Sequence, residues 1–185
     1  MIVGLTGKYA AGKGTVAEVL GRFGFVYHSL SDVIRGELKR RGIPESRENL
    51  LRCGNELREQ GGAGALATMI VADIEADPRP DHIVDSIRTP AEVEGLRTHS
   101  EFWLIGVDAD QRLRFERLLS RGRQGDPTCF EDFAALEARE SKSDDPKAQQ
   151  LDATFALSDI VIQNDGGIEE LERHVSRVIE DLRKR

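Results

Sequence analysis

Short apolar runs alternate along the chain with longer stretches whose apolar residues recur every three to four positions, the pattern of strands separated by amphipathic helices. The short runs are Ile2 to Leu5, Gly24 to His28, His82 to Asp85, Phe102 to Val107 and Asp159 to Gln163. The first and last are compact, β-branched and punctuated by glycine or by Asn-Asp-Gly. This alternation predicts an α/β chain, a parallel sheet joined by crossover helices. Thr89-Pro90-Ala91-Glu92 spells a capping box with proline at the first helical position, so a helix begins just after the third strand. Arg88 then falls at that strand's carboxyl end. The closing stretch keeps Ile168, Leu171, Val175, Val178, Ile179 and Leu182 on one stripe and reads as a packing helix.

Two segments interrupt the alternation. Ser31 to Ala76 has room for two or three helices where one crossover helix would do, which predicts an inserted helical lobe. Residues 121–150 are polar and poorly periodic, with a short helix expected around Phe130 to Glu140, and read as a mobile lid. With no internal repeat and no Pro/Ser linker, residues 1–185 are expected to form one domain.

Composition narrows the class of partner. Hydrophobic residues at 39% and charged residues at 32% fit a globular chain, not a disordered one. A net charge of -7 argues against a nucleic-acid polymer as partner, since that affinity needs a broad basic surface; an anionic ligand has to be held locally. Six of the 26 basic residues are lysines and the rest arginines, a bias that suits phosphate chemistry and that a GC-rich genome also produces. Cys53 and Cys129 have no partners at disulfide or zinc spacing, which fits a reducing cytosol. The opening Met1-Ile2-Val3-Gly4-Leu5 has no basic leader and no apolar run approaches the roughly 20 residues of a membrane span, so a cytoplasmic protein without membrane partners is expected.

The first strand runs into Gly7-Lys8-Tyr9-Ala10-Ala11-Gly12-Lys13-Gly14-Thr15, followed by a helical pattern. That context is what a phosphate-binding loop requires: glycines turn the backbone so that successive N–H groups face one anion, the helix N-terminus adds positive potential, and a lysine bridges the terminal phosphates. Gly7, Ala10, Ala11, Gly12, Lys13, Gly14 and Thr15 are thus the candidate nucleotide contacts. Gly14 stands where a hydroxyl residue is usual, so a nucleotide's magnesium would lean on Thr15, on water or on a downstream carboxylate.

In an open parallel sheet, ligands bind beyond the carboxyl ends of the strands, where the loop, Asp32 with Arg35, and Asp85 with Arg88 all fall. Phosphoryl transfer needs two anions held in line and their charge neutralised, and separate cation sets at two ends supply that. Arg114, Arg117 and Arg121 share one helix face; Arg114 reads as solvated, whereas Arg117 and Arg121 sit at the mouth of the expected lid and Arg139 lies within it. Gly54 interrupts a helical pattern at a cost of about 1 kcal/mol, so an acceptor base or a neighbouring helix must come close. The four histidines match no nucleophile or metal pattern. Ser86 follows Asp85 where a hydrolytic enzyme would place an acid, which favours transfer over hydrolysis.

The Gly12-Lys13-Gly14-Thr15 ending resembles the adenylate kinase type of nucleoside monophosphate kinase. Ser31-Asp32-Val33-Ile34-Arg35 is similar to that family's D-x-x-R. Asp85-Ser86-Ile87-Arg88 is similar to its D-G-x-P-R, without the glycine and proline and one residue shorter. Arg117-Leu118-Leu119-Ser120-Arg121 resembles the arginines at the lid entrance. Arg47-Glu48-Asn49, Gly54-Asn55-Glu56-Leu57-Arg58 and Asn164-Asp165-Gly166 resemble a group of adenylate-kinase-related nucleotide kinases. The resemblance implies a three-layer P-loop kinase fold with a five-stranded parallel sheet, an acceptor-binding lobe over 31–76 and a lid over 121–150. It implies transfer of the γ-phosphoryl group of Mg-ATP to a nucleoside or deoxynucleoside monophosphate, with Lys13, Asp85, Arg88 and Arg121 catalytic and Thr15 and Asp85 at the magnesium. Arg117, Asn164 and Gly166 would join the loop around ATP, and Asp32, Arg35, Gly54, Arg58, Arg88 and Arg139 would hold the acceptor. Val3-Gly4-Leu5-Thr6-Gly7 and Ser158 to Asn164 also resemble dephospho-coenzyme A kinases, although the usual G-K-S/T and His-Pro segment are missing; a nucleotide sensor without turnover is a further alternative.

Overall fold

A computed structural model of the chain describes residues 1–98, 101–122, 125–141 and 148–184. Five strands, β1 (Ile2–Gly7), β2 (Val26–Ser29), β3 (His82–Asp85), β4 (Phe102–Asp108) and β5 (Ile160–Gln163), form one sheet in the order β2-β3-β1-β4-β5. Every pairing is parallel, with Gly4 opposite Val84 and Gly7 opposite Val107. The five expected runs are the five strands, and their ends shift by no more than a turn residue or two.

Helices cover both faces and make the architecture three-layered. On one face α1 (Lys13–Arg22) and α9 (Ile168–Leu182) pack Val16, Leu20, Val175 and Ile179 against Val3, Leu5, Ile105, Val107 and Ile162. On the other, α4 (Ala65–Ala76) and α5 (Pro90–Arg97) pack Leu66, Ile70, Val93 and Leu96 against Ile2, Val84 and Leu104. A central strand buried on both sides has no polar face to show, which is why β1 reads as a continuous apolar run. Trp103, the chain's single tryptophan, lies opposite Val3 near the amino end of β4 and packs against the first of these cores. Ile168, counted on the closing helix's apolar stripe, is exposed at the start of α9.

Three helices fill the interval between β2 and β3: α2 (Leu30–Arg40), α3 (Arg47–Gly61) and α4. The remaining helices are α6 (Gln111–Arg121), α7 (Phe130–Ser141) and α8 (Leu151–Ala156). The capping box forms as spelled, with the Thr89 side chain accepting from the Glu92 N–H and the Glu92 side chain accepting from the Thr89 N–H. The expected lid contains α7, which is docked: Phe130 and Phe133 cluster with Phe115 of α6 at ring-centroid distances of 5.7 and 5.5 Å. Residues 123–124 and 142–147 of the expected lid lie outside the described residues. Among the described residues no helix is long and apolar enough to cross a membrane.

Candidate functional site

A cleft of about 670 Å³ opens at the carboxyl ends of β1, β2 and β3. Residues 9–15 form its floor, Ser29, Leu30, Ser31, Ile34 and Arg35 with Arg47, Leu50, Leu51 and Arg58 one wall, and Asp85, Ser86, Arg88, Arg117, Arg121 and Gln149 the other.

The loop's shape follows from its glycines. Gly12 is the N-cap of α1 at φ 105, where no side chain caps the helix, so the first-turn N–H groups of α1 are left for an anion. A methyl group on Gly12 would also fall 2.3 Å from the Asn164 amide nitrogen. Lys13 folds back over the loop and donates to the carbonyls of Gly7 at 2.6 Å and Lys8 at 2.8 Å. Burial and then the positive charge of Arg88 lower its pKa to about 8, opposed by Asp85 and helped by Arg114 and Arg121. An anion on the loop would add to Asp85 and the two carbonyls in favouring the ammonium form of Lys13.

At the end of β3, Asp85 accepts from its neighbour's Ser86 N–H at 2.6 Å and from the Tyr27 hydroxyl at 3.0 Å. Ser86 sits in the left-handed region at φ 66, which turns the chain so that Arg88 comes back over the cleft. Arg88 donates to the Gln149 side chain at 3.0 Å. Arg35 lies one turn into α2, paired with Asp32 at 2.7 Å and Glu45 at 3.0 Å. Arg117 donates to the carbonyls of Asn164 and Gly166, and Arg121 pairs with Asp126 at 3.0 Å.

Several residues named from the sequence do not line the cleft. Asp32 faces Arg35 from outside it, and Arg139 is exposed on α7. Gly54 is approached by Ile34 of α2, whose Cδ1 would be 3.0 Å from an added methyl group; the close neighbour is a helix, not the open cleft. Asn164 is buried and props the loop by donating to the Ala11 carbonyl. Gly166 contributes its carbonyl to Arg117. Arg58 lines the cleft but its guanidinium is committed to Glu92 at 2.8 Å.

Arg114 requires a correction. It is not a solvated residue but 2% exposed, donating to the carbonyls of Ala109 and Tyr9 and paired with Glu137 of α7 and, at 3.5 Å, with Asp108. The spacing that puts it on the face of Arg117 and Arg121 is right; what the spacing cannot reveal is that α7 folds over that face and supplies an acid. Tyr9 was also missed. Arg47 lies over its ring at 4.5 Å and donates to its hydroxyl at 2.6 Å, while Arg121 lies 5.4 Å from the same ring. An aromatic residue inside a glycine-rich loop was the available signal.

Residues 6–132 match the family model described as AAA domain. The chain is 31% identical over 187 residues to the UPF0200 protein of Thermococcus gammatolerans, covering 98% of this chain and 95% of that one. It belongs to the UPF0200 family and carries an AAA domain. The UPF0200 protein PF1294 of Pyrococcus furiosus is 32% identical, with 97% and 96% covered. Among solved structures, TT1252 from Thermus thermophilus is similar at TM-score 0.60 and 20% identity over 98% of this chain and 97% of the other. A shikimate kinase from Bacteroides thetaiotaomicron is similar at TM-score 0.59 and 13% identity over 97% and 98%. These UPF0200 residues therefore adopt the P-loop kinase-like fold: a five-stranded, all-parallel sheet flanked by helices.

Proposed function

We propose that the protein is a phosphotransferase that moves the γ-phosphoryl group of Mg-ATP to a nucleoside or deoxynucleoside monophosphate. The observation that carries this reading is the presence, in one cleft, of a phosphate loop bearing the buried Lys13 and of two further cations, Arg35 and Arg88, on the two walls that flank it. One anion on the loop and another between those arginines would stand in line, and positioning with charge neutralisation is most of what phosphoryl transfer needs.

The loop fits a nucleotide triphosphate: its uncapped N–H groups take oxygens and Lys13 reaches the terminal phosphates. Arg117, fixed to two carbonyls, would present its planar face to the base, with Asn164 and Gly166 as its supports. The hydroxyl of Thr15 and the carboxylate of Asp85 are the hard oxygen donors magnesium prefers and would hold it from the protein side. When bound, magnesium would neutralise charge on the β- and γ-phosphates. In this reading Arg121, paired with Asp126, would turn to the transferred group, and the 121–150 stretch would act as the lid that excludes water.

The test is ADP formation from Mg-ATP in the presence of AMP, CMP, GMP, UMP, their deoxy forms and dephospho-coenzyme A. Acceptor-dependent ADP with a nucleoside monophosphate, lost in Lys13→Ala, is the expected result. Turnover of dephospho-coenzyme A alone would replace the acceptor class. Binding of ATP and a second nucleotide without turnover would make the protein a sensor.

A further inference from the structure

The carboxylate of Glu92 is fully buried and collects four N–H bonds. Its Oε1 accepts from Nε and Nη2 of Arg58 at 3.1 and 2.8 Å, and its Oε2 accepts from the backbone N–H groups of Arg88 at 2.8 Å and Thr89 at 3.1 Å. A capping-box glutamate needs only the Thr89 bond. The bond to Arg88 reaches one residue further, into the cleft wall, and the bonds to Arg58 reach across to α3 in the lobe between β2 and β3. The same loop is held from the other side by β1, where the Thr6 hydroxyl donates to the Ile87 carbonyl at 3.0 Å and the Ile87 N–H donates to the Leu5 carbonyl at 3.3 Å.

Only an ionised carboxylate can satisfy four donors with two oxygens, and a buried carboxylate needs a cation beside it. Arg58, 3% exposed, meets that need with a two-nitrogen fork. Resting on the reading that Arg88 faces the acceptor, we infer that Arg58 and Glu92 are positioning residues: they set the main chain of Arg88 and tie it to α3, so that the lobe wall and Arg88 approach the phosphate loop as one unit. Arg58 is then the charge partner of Glu92 and not an acceptor ligand, although it lines the cleft. Glu92 itself is outside the lining.

Two variants separate these roles. In Glu92→Gln, one of the two acceptor oxygens becomes an NH2 group facing N–H donors, so one side of the four-bond arrangement is lost. Arg58→Lys keeps the charge but not the fork, and covers the case in which Glu92→Gln does not fold. The first readout needs no turnover: backbone amide exchange of Arg88 followed by NMR in the unliganded protein. Exchange should accelerate at least tenfold in either variant, while the amides of β1 and β4 keep wild-type protection. The second readout is steady-state kinetics with Mg-ATP and whichever monophosphate in the panel above is turned over. Acceptor kcat/KM should fall about tenfold in Arg58→Lys and further in Glu92→Gln, with the KM for ATP unchanged. Arg88 exchange at the wild-type rate in both variants overturns the inference. So does faster Arg88 exchange with unchanged acceptor kinetics, which would leave the pair a purely structural brace. Weaker acceptor binding in Arg58→Lys with undisturbed Arg88 exchange would make Arg58 a ligand after all. If the wild-type protein turns over no acceptor, the phosphotransferase reading fails and the exchange experiment still decides whether the pair holds Arg88.

Discussion

The side-chain amide of Asn164 donates to the Ala11 carbonyl at 2.8 Å across 153 residues of chain, so the end of β5 braces the phosphate loop from beneath. Asn164→Ala would leave the Ala11 carbonyl unpaired in a buried setting, at a cost of about 1–3 kcal/mol. Urea unfolding should register that loss, and titration with ATP should show weaker binding while monophosphate binding stays as in the wild type. Gly12→Ala should be more damaging, because it combines φ 105 with a clash against the same amide.

Lys13 gives the protein a pH signature. With its pKa lowered from 10.5 to about 8 by burial and by Arg88, the folded, unliganded protein releases a proton from Lys13 in a range where the unfolded chain still holds it. Lys13 therefore weakens the unliganded fold at lower pH, and its contribution to unfolding free energy rises as pH climbs from about 8 towards 10.5. A bound triphosphate favours the ammonium form and reverses the shift. ATP binding should take up a proton above pH 8 and weaken as pH rises further. Calorimetry at pH 8.5 in two buffers of different ionisation heat measures that proton, and Lys13→Met should abolish it.

The two arginines proposed to hold the acceptor should not be equivalent. Arg35 is 43% exposed by side chain and carries two acids as partners, whereas Arg88 is held by its main chain and lies beside Lys13 electrostatically. Arg88→Ala should lower acceptor kcat/KM on the order of a hundredfold, and Arg35→Ala by clearly less, both with little change in the KM for ATP. Separate titrations of donor and acceptor check this, and a loss confined to ATP in either variant would place that arginine on the donor.

Arg114 and Glu137 form a buried pair between α6 and α7. Arg114→Met should destabilise the protein by about 3–5 kcal/mol, since it strands a buried carboxylate, and the double variant Arg114→Met/Glu137→Leu should recover much of that. Denaturation midpoints of the four proteins in the cycle give the answer directly.

The division between what could be read from the chain and what could not follows the range of the interactions. The strands and the α5 cap are local: β-branched runs and Thr89-Pro90-Ala91-Glu92 carry their own instructions, and β1 to β5 and the capping box appear where those instructions place them. Lys13 and its loop belong to the same class, because the loop's geometry is written in consecutive residues. Arg114 and Gly54 are different. Whether an arginine on a helix face meets water or Glu137, and whether a helix glycine meets a ligand or Ile34, depends on how separate elements dock, which no spacing within one element records. The same holds for Asn164, whose partner lies at the other end of the chain.

Trp103 sits near the amino end of β4, and the phosphate loop starts beyond the opposite end, where Gly7 faces Val107. Trp103 and Val107 are four residue steps apart along the strand, roughly 13 Å at the usual rise. The molecule's only indole is therefore a reporter of the packed sheet and is blind to the cleft. Once the absorption of added nucleotide is corrected for, its emission can follow unfolding of the sheet, and a remaining quenching change on adding ATP would mean that ligand binding reaches the sheet itself. A probe for the cleft has to be installed, and Tyr9, already under two guanidinium groups, is the position from which an indole would see both walls move.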